Sequence, residues 1–329
     1  MLLQAVFFGT AKHRELVAWL LEHAGALLGV PAGDTAARER VRCRLLAACN
    51  VRGYTATAMA ELWHNAPLHA LLASVDRTGP AERDAYRAEL LASIAVPVPA
   101  DAAQRDAQRR TDALVAAITA GFATLAAAAR DPAGDVPAAG TALLAAVRDA
   151  LAAPGLDLDR RGGPLAQTPL IAALTGVDPA PRGSAVRLAV TRELLCHGAD
   201  PDLPELHPMG VDAVIRAAVL HHVGCLHEIA RWMGPLAFAA AINERPAVNG
   251  QTALDDIVHR ALTAPAQTLA SHLDLIRWVT ARGGRVDIPD LTGVSVARRA
   301  ELALADPAQR DNAVAVLAAL GLAAPQPAG

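Results

Sequence analysis

The sequence predicts an all-α fold in which pairs of short helices recur along the chain. Three observations lead to this class. Segments that open with a helix-capping residue and close with a glycine return several times. Hydrophobic residues make up 53% of the total but only 3% are aromatic, and alanine supplies the largest share, which allows helices to pack closely. The length of 329 residues is enough for two ordinary domains or one elongated array.

The clearest unit covers residues 167–202. Thr168 is suited to cap a short first helix, and the proline that follows it fits the first helical position. A second helix is predicted over residues 185–196. Gly198 follows it, where the end of a helix favours a residue with left-handed backbone.

The same pattern returns three more times toward the C-terminus. The predicted opening residues, spaced 44, 40 and 43 positions apart, are Thr168, Asp212, Thr252 and Ser295. Gly234 and Gly283 are expected to end the second helices of the two middle units. Large apolar side chains should fill the seams between neighbouring pairs, namely Leu170, Leu194, Leu195, Ile229, Trp232, Leu254, Ile276 and Trp278.

These units resemble ankyrin repeats, whose motif is G-x-T-P-L-H-x-A-A, a second helix and then L-L-x-x-G-A-D-x-N. The best match is residues 167–202, which contain Thr-Pro-Leu, Leu-Leu and Gly-Ala-Asp together. The resemblance implies an ankyrin-like helical solenoid of about 6–7 helix-turn-helix repeats. The spacing exceeds the ~33 residues typical of the family, which implies long insertions.

Weaker copies of the pattern are expected in the first half of the chain. Residues 13–23 resemble a second helix, and Thr55 and Thr111 occupy the position of an opening residue. Additional helices are predicted at residues 34–49 and 81–94. The implied organisation is a single array over residues 1–329, with repeats at approximately 1–26, 50–75, 110–160, 165–203, 208–246, 248–289 and 291–321. The implied insertions are residues 27–49, 76–109 and 122–140.

Charge and composition narrow the function classes. The formal net charge of −3, from 30 basic and 33 acidic side chains, supplies no global field that attracts nucleic acid or an anionic membrane. No apolar run is expected to approach the ~18 residues of a membrane span. The four cysteines show no CxxC pair, and the first residues lack the basic region of a secretory signal. We therefore expect a cytoplasmic protein with reduced thiols and with neither a nucleic-acid nor a membrane partner.

The search for chemistry finds no Rossmann, P-loop, nucleophile-elbow or kinase pattern, so no catalytic residue and no cofactor is predicted. His221, Cys225 and His227 have spacing that resembles a metal site, but Gly224 is expected to separate them, and we predict no metal. The arginines of residues 38–44 suit a solvated helix surface, a contact with an acidic protein, or nucleic acid.

The ankyrin resemblance implies a partner surface at the hairpin tips and on the exposed side of the first helices. This set has an acidic excess and suits a partner that is at least partly basic. It comprises Asp157, Asp159, Arg160, Arg161, Asp200, Asp202, Glu205, His207, Arg216, Glu244, Arg245, Asn249, Asp255, Asp256, Arg285, Asp287 and Asp290.

The predicted function is a non-enzymatic protein–protein interaction scaffold that is a monomer on its own and binds a protein through its concave face and tips. An inhibitor, immunity-type or regulatory binder in a bacterium is the first setting. The alternative is a bacterial effector that reaches a host protein by a signal-peptide-independent route. Lys12 is the only lysine beside 29 arginines, which fits either a GC-rich genome or avoidance of ubiquitin attachment. An enzyme with a site in residues 76–140 and a nucleic-acid binder are further alternatives.

Overall fold

The computed structural model describes residues 11–49, 55–62, 66–93, 95–96, 99, 101–175, 181–205, 210–246 and 250–323. Within these residues the regular secondary structure is α-helical, which confirms the predicted all-α class. The chain divides into two compact units, Met1–Ala95 (unit 1) and Val96–Gly329 (unit 2). Whether one repeat array runs through both units stays a prediction.

Unit 1 contains five described helices. They are α1 (Ala11–Leu27), α2 (Thr35–Ala47), α3 (Ala56–Leu62), α4 (Ala66–Val75) and α5 (Pro80–Ser93). Helix α1 packs on α2, α3 on α4, and α2 on α5. Asp34 caps α2 by accepting a hydrogen bond from the Ala37 backbone N–H. Val17, Leu46 and Leu72 lie in the small apolar core of this unit.

Unit 2 contains eleven described helices. They are α6 (Ala102–Arg130), α7 (Val136–Leu151), α8 (Pro169–Leu174), α9 (Pro181–Cys196), α10 (Ala213–Val219), α11 (Val223–Met233), α12 (Pro235–Ala241), α13 (Ala253–Thr263), α14 (Ala266–Thr280), α15 (Val296–Ala303) and α16 (Arg310–Ala319). Ten of them form five consecutive pairs: α6/α7, α8/α9, α10/α11, α13/α14 and α15/α16.

The pairs contact one another in chain order. The first helices touch in the sequence α6, α8, α10, α13, α15, and we call them the first-helix row. Among the second helices, α7 contacts α9, α9 contacts α11, and α14 contacts α16, while α12 packs against α10 and α11. One apolar core runs through all five pairs. Each pair is therefore buried mainly by its neighbours.

The predicted opening residues cap the first helices. Thr168 and Asp212 accept hydrogen bonds from the backbone N–H three residues later, at 3.3 and 2.7 Å. Thr252 and Ser295 do the same at 3.3 Å each, and Thr252 completes a capping box with Asp255. Because a capping hydroxyl or carboxylate satisfies a backbone donor that the helix leaves unpaired, these side chains fix where the helices begin.

Most of the predicted seam residues are buried. Leu170, Leu194, Leu195, Ile229, Leu254 and Ile276 all belong to the core of unit 2. Trp278 is half-buried, with its ring 5.5 Å from that of Phe238. The prediction is wrong for Trp232, which is 49% exposed near the end of α11.

The prediction that Thr111 opens a first helix is also wrong. Helix α6 begins earlier, after Asp101, whose carboxylate accepts a hydrogen bond from the Gln104 backbone N–H. Thr111 lies in the middle of this 29-residue helix and donates its hydroxyl proton to the Asp157 carbonyl. Helix therefore also occupies much of the predicted insertion 122–140.

Helix α6 is long and apolar enough to cross a membrane by length and composition alone. No charged residue lies between Asp112 and Arg130, and an 18-residue stretch of the helix has a mean hydropathy of 1.7. The expectation that no apolar run approaches the length of a span is therefore wrong. Core helices of water-soluble proteins have the same properties, and here one stripe, which includes Leu114, Ile118 and Leu125, is buried in the core of unit 2.

Candidate functional site

Four loops of unit 2 connect one helix pair to the next. We call them tip 1 (residues 152–168), tip 2 (197–212), tip 3 (242–252) and tip 4 (281–295). Backbone hydrogen bonds close a hairpin just before the cap in tips 1, 2 and 4, for example between Glu205 N–H and the Val211 carbonyl in tip 2. These tips hold most of the predicted partner surface. Two members of that set, His207 and Asn249, lie outside the described residues.

Tips 1 and 2 are joined by side-chain hydrogen bonds. The Asp159 carboxylate accepts a hydrogen bond of 2.9 Å from the Asp200 backbone N–H. The Arg161 guanidinium donates to the Pro204 carbonyl, with Nε at 3.1 Å. These contacts hold the two loops in a fixed relative position.

Tips 3 and 4 are joined by Asn243, which sequence reasoning missed. Its amide nitrogen donates to the Gly283 carbonyl at 2.7 Å, and its amide oxygen accepts from the Arg285 backbone N–H at 2.8 Å. The signal in the sequence was an uncharged polar side chain directly after the apolar end of α12. An amide can both donate and accept, which suits a position between two loops.

Between tips 2 and 3 three carboxylates come close together. Asp202, Asp212 and Glu244 each place a carboxylate oxygen within 4.8 Å of the other two. Asp202 and Glu244 are exposed, whereas Asp212 is only 1% exposed. Burial raises the pKa of Asp212 to about 7, and the charges of Glu244 and Asp202 act in the same direction. We call these three residues the carboxylate cluster.

Five predicted surface residues are instead largely buried. The side chain of Arg216 is 13% exposed and forms an ion pair with the buried carboxylate of Glu205. Asp255, Asp256 and Asp290 are also buried. The expectation that these side chains face a partner is not met, because they lie in the interior of unit 2, where the tips and the first helices pack together. Charge alone did not reveal which side of the helix each residue occupies.

An arginine in α15 compensates two of these buried acids. Arg299 contacts Asp290 through Nη2 at 2.6 Å and Asp255 through Nε at 3.6 Å. Asp256 is buried beside them. Burial raises its pKa to about 7, while the guanidinium of Arg260 acts in the opposite direction.

The exposed part of the tips is mainly acidic. Two acids are paired within their own loops, since Arg160 contacts Asp157 and Arg285 contacts Asp287. Arg245 is exposed and donates through Nε to the Gly250 carbonyl. The other exposed acids, which have no arginine at ion-pair distance within the described ranges, are Asp159, Asp200, Asp202 and Glu244. We call these four residues the acidic tip row.

The histidine and cysteine positions that resembled a metal site have separate surroundings. His221 Nε2 lies 2.8 Å from the Ser271 hydroxyl. The thiol of Cys225 is buried and accepts a hydrogen bond from Thr191 at 3.5 Å. The ring of His227 packs on that of Trp278 at 4.2 Å.

The basic stretch of α2 is largely occupied by contacts within unit 1. Arg38 donates to the carbonyls of Val30 and Pro31, Arg42 forms an ion pair with Glu39, and Arg44 pairs with Glu89 at 2.9 Å. A shallow cleft of about 250 Å³ lies between α2 and α5. It is lined by Arg40, Cys43, Arg44, Glu82, Ala85, Tyr86 and Glu89.

In comparisons with known proteins, no family model and no curated protein matches the chain.

Proposed function

We propose that this chain is a non-enzymatic scaffold that binds a basic protein partner through the acidic tip row of an ankyrin-like array. The observation that carries the proposal is the acidic tip row itself. Its four carboxylates lie on consecutive loops, are exposed, and lack an arginine partner among the described residues.

The loops that carry these acids are held in place before any partner arrives. Asp159 is bonded to the backbone of the next tip, and the Asp200 carboxylate accepts from the Asp202 backbone N–H at 2.9 Å. A surface that is already ordered loses less conformational entropy on binding. A stable one-to-one complex buries about 800 Å² on each partner, an area that several neighbouring tips together can supply.

The charge of the row defines the partner. Unpaired exposed carboxylates attract a basic surface, speed its approach and disfavour acidic competitors. The proposed setting is a bacterial regulator or an immunity-type inhibitor that masks a cognate protein. The alternative setting is an effector that binds a host protein, for which the near absence of lysine is the supporting observation.

The test uses a variant that removes charge but keeps the loop hydrogen bonds. In Asp159→Asn/Asp200→Asn the amide oxygen can still accept from the backbone, so the tips should stay folded. The matched control is Asp149→Asn/Asp311→Asn, which changes the net charge equally at exposed positions on second helices. Each protein is immobilised, incubated with a lysate of the source bacterium or a eukaryotic lysate, and the bound proteins are quantified by mass spectrometry.

We expect one protein to be recovered with the native chain and with the control, and about tenfold less with the tip variant. Recovery should also fall as salt is raised, since exposed charges are screened. Equal recovery with the tip variant would contradict the proposal, and so would empty capture from both lysates by a bait with an intact helical spectrum. Recovery from the eukaryotic lysate alone supports the effector setting.

A further inference from the structure

The carboxylate cluster concentrates three acids from three separate segments. Asp202 lies in the turn after α9, Asp212 caps α10, and Glu244 follows α12. One carboxylate oxygen from each lies within 4.8 Å of the other two. Three negative charges at this separation repel one another strongly unless a cation is present.

The cluster differs from the other buried acids because it has no counter-cation. Glu205 is paired with Arg216, Asp290 with Arg299, and, in unit 1, Asp76 with Arg83 at 3.2 Å. In the part of the chain that the structure describes, no arginine, lysine or histidine lies at ion-pair distance from Asp212. Buried carboxylates are normally paired or bound to a metal, so this position is exceptional.

The second oxygen of Asp212 is unused. Its Oδ1 accepts the capping hydrogen bond from the Ile215 backbone N–H, whereas Oδ2 is buried and has no hydrogen-bond partner among the described residues. An unpaired buried carboxylate oxygen carries the full cost of its lost hydration. A cation bound at Oδ2 would offset that cost and neutralise the two exposed acids beside it.

We propose that the carboxylate cluster is a calcium site that joins tip 2 to tip 3. Calcium takes six to eight oxygen ligands at about 2.4 Å, so two oxygens on opposite sides of one ion stand about 4.8 Å apart. All three oxygen separations fall within this limit, so one ion can contact all three carboxylates. All three ligands are hard oxygens, which disfavours zinc and copper, and the exposure of Asp202 and Glu244 leaves room for water to complete the shell.

The position of the site gives it a structural effect. Tips 1 and 2, and tips 3 and 4, are joined by backbone N–H groups that donate to the side chains of Asp159 and Asn243. The carboxylate cluster lies between tips 2 and 3, with Asp202 and Asp212 in tip 2 and Glu244 in tip 3. Calcium bound there would join these two tips as well. The inference does not rest on the proposed function, because it needs no protein partner.

The test measures calcium binding by the purified full-length chain after treatment with a chelator. Isothermal titration with calcium chloride should give one site per chain. The Tm should rise by about 5–10 °C at a free calcium concentration one hundred times the Kd. Magnesium chloride at the same concentration should produce a much smaller rise, because magnesium requires a tighter octahedral shell. Ionic strength is matched with sodium chloride.

Three variants tie the effect to the cluster, and a fourth is the control. Asp202→Asn and Glu244→Gln change exposed side chains, so the fold should be retained, and each should weaken calcium binding about tenfold or more. Asp212→Asn keeps the cap, since asparagine caps as well as aspartate, and should abolish calcium binding while raising the Tm of the calcium-free protein. Asp159→Asn removes an exposed acid outside the cluster and should leave calcium affinity unchanged.

Several results would overturn the inference. One is the absence of both heat and a Tm shift with calcium. Another is a calcium effect that persists unchanged in Asp202→Asn and Glu244→Gln, which would mean binding elsewhere. Equal stabilisation by magnesium would contradict the assignment to calcium. Because the acidic-tip variant Asp159→Asn/Asp200→Asn leaves the cluster intact, loss of partner binding and loss of calcium binding can be measured separately.

Discussion

The inner side of the tips, which contacts the first-helix row, and their exposed side treat acidic residues in opposite ways. On the inner side the buried acids Glu205 and Asp290 each contact a guanidinium from a first helix of unit 2. At the tips, Asp202 and Glu244 have no arginine at ion-pair distance in the described ranges. Internal compensation makes the first group part of the framework. Without an arginine partner, the second group can bind a cation or a basic protein surface.

Removing the arginine that compensates two acids should have the largest effect. Arg299→Met leaves Asp290 and Asp255 buried without a cation, and we expect a loss of about 3 kcal/mol in the free energy of unfolding. Urea denaturation followed by circular dichroism measures it. The control is Arg298→Met, the neighbouring residue, whose ion pair with Glu301 is exposed and should contribute little. Equal losses in the two variants would remove the distinction between the framework acids and the surface acids.

The pH dependence of stability probes Asp256, a buried acid whose pKa is raised although Arg260 is nearby. Burial raises the pKa of Asp256 to about 7, well above the ~3.9 of an aspartate in an unfolded chain, so the folded state holds the proton more tightly. Its stabilising contribution is complete below about pH 4 and is lost as the pH rises through 7. We expect the free energy of unfolding to fall by about 2 kcal/mol between pH 5 and pH 7 on this account.

Asp256→Asn should flatten that part of the pH profile, whereas Asp274→Asn, at an exposed position of α14, should leave the profile as it is. Urea denaturation at a series of pH values measures both. A profile that is unchanged in Asp256→Asn would show that this carboxyl is not the group that titrates.

The hydrogen bonds between tips 3 and 4 should have the smallest effect. Asn243→Ala removes the donor to the Gly283 carbonyl and the acceptor for the Arg285 N–H, with an expected loss of about 1 kcal/mol. Asn243→Asp keeps the acceptor but places a carboxylate oxygen against the Gly283 carbonyl, and it should cost at least as much. Hydrogen exchange of the Arg285 amide offers a local readout, and its protection should fall in the alanine variant. Unchanged protection would mean that the tips do not depend on this side chain.

Local features of unit 2 were predictable from the sequence. Each cap depends on one side chain and on a backbone group three residues later, so a few consecutive residues are enough to predict it. This holds for Thr168, Asp212, Thr252 and Ser295. Thr111 failed under the same rule because a threonine can also sit within a helix. Its hydroxyl there serves a loop 46 residues later in the chain.

The candidate sites depend on packing between residues that are far apart in the sequence, which a short stretch of sequence cannot reveal. Asp202 and Glu244 are 42 positions apart in the sequence, and only the contact between neighbouring helix pairs brings their carboxylates together. The burial of Asp255 and Asp256 likewise follows from the adjacent pair rather than from their own helix. Because both acids are charged, a simple amphipathic pattern would have placed them on the exposed side of α13.

The stacking of unit 2 has a consequence for how such a chain changes over evolutionary time. Each pair contacts the one before it and the one after it, and successive caps lie 44, 40 and 43 residues apart. If one such segment were duplicated or deleted, the remaining pairs would still contact neighbours through the same kind of helix–helix interface. No contact between distant parts of the chain would be lost. Unit 2 can therefore gain or lose whole helix pairs, while the first and last pairs still cover the two ends of the array.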